Sequence, residues 1–180
     1  MRVPGQKFFV PAIMMFAGRF VRLEKARPAP TLNQTNQGRY LMKTKKCLTL
    51  ADVKIIAAGC EAEALKQNWA VTIAIADDAG HLLWLQRLDG ANLSSIQIAI
   101  GKAYTSAVGR RTTKVYEEVV GGGRNAFLSV PGGLTLIEGG EHIMVDGECV
   151  GAVGVSGVKS PEDAQVARAG ISVFLENLKQ

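Results

Sequence analysis

The sequence predicts an α/β (α+β) domain over residues 42–180, with a central, mainly antiparallel sheet flanked by helices. Two kinds of signal carry this. Apolar residues recur at helical spacing near the start, middle and end of that region. Between them lie two pairs of Val/Ile-rich segments joined by tight Asp/Gly turns, the mark of hairpins, and hairpins make antiparallel sheets.

Taken in order, Thr49 caps the first helix, with Asp52 three residues on approximating a capping box. Leu50, Val53, Ile56, Ala57 and Cys60 form its apolar face, and the helix should run to about Gln67. Residues 70–76 alternate and read as a strand, Asp77-Asp78-Ala79-Gly80 as a turn, and residues 81–87 as the returning strand. Residues 93–108 form a second helix capped by Asn92 or Ser94, with Ile96, Ala99, Ile100, Ala103 and Ala107 as its stripe, and Gly109 stops it. Thr112 or Thr113 caps a short helix that ends at Gly121-Gly122-Gly123. Residues 127–131 read as extended, Pro131-Gly132-Gly133 as a turn, residues 134–137 as a strand and Glu138-Gly139-Gly140 as another turn. Residues 142–145 and 148–155 flank Asp146-Gly147 as a second hairpin. Ser160 caps the last helix, with Pro161 first within it and Asp163 third. The first and last helices should cover one sheet face, and the middle helices an edge or the other face.

Residues 1–41 stand apart. They carry no helical period, four prolines, and seven basic side chains against one acidic, a charge of +6 that accounts for the whole chain's net +5. The remaining 14 basic and 15 acidic side chains leave the domain almost neutral, without the basic footprint of a nucleic-acid binder. Residues 8–18 loosely imitate the apolar centre of a signal peptide, but Pro11 interrupts them and no cleavage pattern follows. Residues 1–41 therefore read as a non-domain leader, disordered or not natively translated, with Met42 as the natural start. No apolar run reaches the roughly 18 residues of a membrane span. Three scattered cysteines (Cys47, Cys60, Cys149) suit a reducing cytoplasm better than a disulfide framework.

No nucleophile elbow, P-loop, zinc pair or Rossmann fingerprint is present. Gly121-Gly122-Gly123-Arg124 could wrap an anion, but it follows a helix and lacks the N-terminal dipole, so a C-cap is the plainer reading. His81 and His142, the only histidines, are candidates to ligate haem iron or shuttle a proton, or else exposed turn residues. Lys102 and Thr105 lie three apart on the second helix and share a face that could receive a carboxylate. Around them, Tyr104, Arg110, Arg111, Lys114 and Arg124 either contribute to such a site or form a solvated flank paired with acids such as Glu117. The small-residue strand from Gly151 through Gly154 to Gly157 is either packed closely by the last helix or the floor of a pocket.

An ordered set of motifs resembles the GlcG-like, haem-degrading family: Asn68-Trp69 through Asp77-Asp78-Ala79-Gly80-His81, then Lys102-Ala103-Tyr104-Thr105-Ser106-Ala107, Glu138-Gly139-Gly140, Val145-Asp146-Gly147, and Gly151 to Gly157. The resemblance covers about residues 43–180. It implies a profilin-like or PAS-like fold, self-association into homo-oligomers, and haem or a related tetrapyrrole as the candidate small-molecule ligand and cofactor. It also extends to the domain appended to corrinoid adenosyltransferases and to glycolate-utilisation operons. On that basis the ligand contacts are expected from Lys102, Thr105, Gly139, Gly140, His142, His81 and Gly154. Where the family places a hydrophobic residue and a proline after the paired glycines, this chain has Glu141 and His142. An alternative reading is an enzyme or accessory protein in small hydroxy-acid, glycol or glycerol metabolism, with His142 and Glu141 as an acid–base pair. A third is a structural module that binds a protein partner.

Overall fold

The computed structural model describes residues 43–179; the expectations for residues 1–41 and for a start at Met42 lie outside the described residues. From Thr44 onward the chain is one compact unit. It runs α1 (Leu50–Lys66), β1 (Thr72–Asp77), β2 (Leu82–Arg87), α2 (Ser95–Gly109), α3 (Thr113–Gly121), β3 (Gly140–Val145), β4 (Glu148–Ser156) and α4 (Ser160–Asn177). The four strands form one sheet in the order β2-β1-β4-β3, with every neighbour antiparallel. This is the α+β architecture read from the hairpin and helix signals.

Three of the four helices start where the caps predicted. Thr49 accepts from the Asp52 amide, and the Asp52 carboxylate accepts from the Thr49 amide, closing the capping box. Ser94 precedes α2, and the Asn92 side chain accepts from its amide at 3.2 Å. Two segments differ from expectation. Residues 125–129 wind into a 3₁₀ turn instead of an extended piece. Residues 134–137 are irregular, and the Thr135 amide donates to the Thr105 side chain of α2 instead of to a strand. The cap of α4 is Lys159, one residue earlier than Ser160.

Strand alternation sorts the core into two unlike layers. Ile73 and Ile75 of β1, Ile143 of β3 and Val153 and Val155 of β4 pack with Val53, Ile56 and Cys60 of α1 and Val166 and Phe174 of α4. The opposite face carries Ala74 and Ala76, which meet Ala99 and Ala103 of α2. Gly154 lies there too, and a Cβ on it would strike the Ala99 carbonyl and the Ala103 amide. The glycine-rich strand is thus closely packed by a helix, as one reading held, but the helix is α2 and not the last one. Among the described residues the outer edge of β2 has no strand neighbour, and Leu82, Leu83 and Leu85 are 46%, 39% and 42% exposed.

Candidate functional site

Lys102 does not face solvent. It projects from α2, is 1% exposed, and donates to Asp163 Oδ2 at 2.8 Å and to the Val155 carbonyl at 2.9 Å. Asp163 stands in the first turn of α4 and also accepts from the Val158 amide at 3.2 Å. Burial pushes the Asp163 carboxyl above its usual range, and the Lys102 ammonium pulls it back. The strut passes the corner at Gly139, whose φ of +122° and bare Cα admit it: a Cβ there would lie 2.6 Å from Lys102 Nζ. Asp163 was missed by sequence reading as a partner, since an acid in a helix's first turn is ordinary. The available signal was Lys102 itself, a lysine beside an alanine stripe that demands a buried counter-ion.

Thr105 is equally enclosed. Its Oγ1 accepts from the Thr135 amide at 2.8 Å and so pins the 134–137 segment across α2. The Gly140 amide donates to Thr113 Oγ1 at 2.9 Å, tying β3 to the start of α3. Lys102, Thr105, Gly139, Gly140 and Gly154 are therefore brought together as a frame around α2.

The two histidines differ in setting. His142 is half-buried on β3, opposite Ala152, and its Nδ1 is enclosed with no partner among the described residues. Desolvation lowers its pKa, favouring the neutral ring. Its neighbour Glu141 points to the other face and pairs with Arg168 at 2.8 Å. Burial raises the Glu141 pKa and Arg168 opposes that rise. The two are not brought together, so the acid–base pairing read from their adjacency does not form.

His81 begins the return from the β1–β2 turn and has an 80% exposed side chain. Its Nδ1 lies 3.2 Å from Asp77 Oδ2. Asp77 Oδ1 is fixed by the amides of Ala79 at 2.9 Å and His81 at 2.8 Å. Burial works against the Asp77 charge, but those hydrogen bonds and the His81 ring outweigh it and hold the pKa below the ordinary value. Tyr104 and Val108 of α2 lie against the same turn at Gly80. Leu82, Leu83 and Val108 leave apolar surface exposed nearby. Asp78 and Arg110 line a hollow of about 230 Å³ at this end of the sheet.

The basic flank is mostly self-satisfied. Arg111 lies over the Tyr116 ring at 5.6 Å and Arg124 over Phe127 at 5.2 Å, while Lys114 reaches Glu138 at 3.4 Å. The Gly121-Gly122-Gly123 segment closes α3, with the Gly122 amide donating to the Glu118 carbonyl. Among the described residues no cluster of three or more His, Cys, Asp and Glu could hold a metal ion, and no helix is long and apolar enough to cross a membrane.

Residues 48–172 match the family described as haem degrading protein HbpS-like. The chain belongs to this family. Protein GlcG of Escherichia coli K12 is 50% identical over 115 residues, covering 64% of this chain and 85% of its own. An uncharacterised 15.0 kDa protein from the dhaT-dhaS intergenic region of Citrobacter freundii is 33% identical, covering 72% and 93%. Among solved structures, HbpS superposes with a TM-score of 0.67 at 28% identity, covering 73% of this chain and 93% of that one. A structure described as a PduOC:haem complex superposes at 0.65 with 25% identity, covering 71% and 95%. The fold of this HbpS-like chain is thus that of its family, as the motif resemblance implied.

Proposed function

We propose that this family member binds haem or a closely related tetrapyrrole as part of a homo-oligomer. The observation that carries the reading is the surface at the β1–β2 turn, where an exposed imidazole stands beside exposed aliphatic side chains. Haem asks for these features: an imidazole nitrogen for the iron, apolar surface for the ring and a cation for its carboxylates. His81 supplies the first and Leu82, Leu83 and Val108 the second, and Arg110, two residues beyond Val108 in the chain, is the cation proposed for the third. The haem complex described for the PduOC relative supports it. His142 is the other ionisable candidate, and Lys102, Thr105, Gly139, Gly140 and Gly154 serve as the rigid frame behind the surface.

Self-association is supported by the β2 edge, since an apolar edge strand without a neighbour among the described residues favours pairing with another copy. The three cysteines, all free of disulfides, suit a cytoplasmic setting.

The test is a titration of the full, untagged chain with ferric haem, followed by visible absorption. A saturable Soret shift with one site per chain is expected. A linear, non-saturating response would remove haem as the ligand.

A further inference from the structure

The two imidazoles offer iron different things. A metal-binding histidine works best when its second nitrogen donates to a fixed acceptor, which selects the tautomer, orients the ring and strengthens the ligating nitrogen. His142 lacks this, since its Nδ1 is enclosed without a partner among the described residues. His81 has it. Asp77 sits at the end of β1, where two turn amides clamp Oδ1 and leave Oδ2 facing His81 Nδ1. A clamped carboxylate cannot follow the ring, so the ring must settle where the carboxylate is. With Nδ1–H donating to Asp77, the lone pair lies on Nε2, on the exposed side of an 80% exposed side chain.

We propose that Asp77 is a positioning residue that makes His81 Nε2 the axial nitrogen for haem iron. The inference rests on the haem reading above and goes beyond it by naming which histidine binds and what prepares it. Asp77 itself touches no ligand. It acts by holding the ring and giving it partial imidazolate character, which strengthens the bond from nitrogen to iron.

The experiment uses the full, untagged chain with ferric haem for affinity and, after reduction, resonance Raman spectroscopy for the iron–imidazole stretch. His81→Gly should lose the wild-type spectrum, and free imidazole added to that variant should restore it. Asp77→Asn retains an oxygen for the turn amides, so its circular dichroism should stay unchanged. It should weaken haem binding roughly 10-fold and lower the iron–imidazole stretching frequency. Wild-type spectra persisting in His81→Gly, or lost only in His142→Ala, would overturn the proposal while leaving haem binding intact. An Asp77→Asn stretch identical to wild type would overturn the positioning role. Failure of the wild-type chain to bind haem would remove the underlying reading and this inference with it.

Discussion

Lys102 and Asp163 meet at 2.8 Å although one belongs to α2 and the other to α4, the helices on opposite faces of the sheet. Both side chains are 2% exposed. The pair clamps the two layers around the end of β4, where the Val155 carbonyl takes another of the lysine's protons.

Removing one partner leaves a buried, unpaired charge. Asp163→Ala should therefore destabilise the fold by about 3–5 kcal/mol, and Lys102→Ala by a similar amount. Replacing both with apolar residues of matched volume should cost much less. Urea unfolding of the two single variants and the double variant checks this, and strictly additive losses would contradict it.

His142 ties stability to pH. Its folded-state pKa is depressed by burial below the unfolded value near 6.5, so folding favours the neutral ring. The contribution is fully present above the unfolded pKa and is lost as pH falls through the folded one. Wild type minus His142→Leu, followed by thermal melts from pH 8 to pH 5, should show the difference only on the acid side.

Gly154→Ala should destabilise by about 3 kcal/mol or prevent folding, because the added methyl meets helix backbone and not a side chain that can turn away. The same change at exposed Gly121, where nothing lies within 4 Å, should be near neutral in chemical denaturation.

Leu85→Lys tests the β2 edge. The residue is 42% exposed, so the change should leave the melting temperature of the folded chain nearly unaltered. It should shift the assembly towards smaller species in light scattering, since a lysine on an edge strand opposes pairing.

Much of the architecture was legible. Thr49 with Asp52, and Asp146-Gly147 between apolar strands, are local signals whose chemistry acts within a few residues, and both form as read. What failed depends on distant chain. Residues 134–137 have strand-like composition, yet their amides are taken up by groups such as Thr105 Oγ1, 30 residues away. The Lys102–Asp163 pair spans 61 residues, and no periodicity reports such a meeting. Adjacency misled at Glu141 and His142, where strand alternation separates neighbours that a linear reading joins. At the candidate site, His81 was named from composition, but the role of Asp77 needed the turn geometry that bends its carboxylate back onto the ring.

The alanine and glycine surface beneath α2 has a consequence for how the chain finds its place. With so little side-chain bulk between helix and sheet, α2 has almost no aliphatic grip by which a slipped arrangement could be held. Moved along its axis by one turn, it would still set small residues of the Ser95, Ala99, Ala103 and Ala107 stripe against Gly154, but it would forfeit the anchor points of Lys102 and Thr105 together. The helix behaves as a key cut for one lock position. Its register is enforced less by adhesion than by the two buried polar anchors, which only one position can satisfy together.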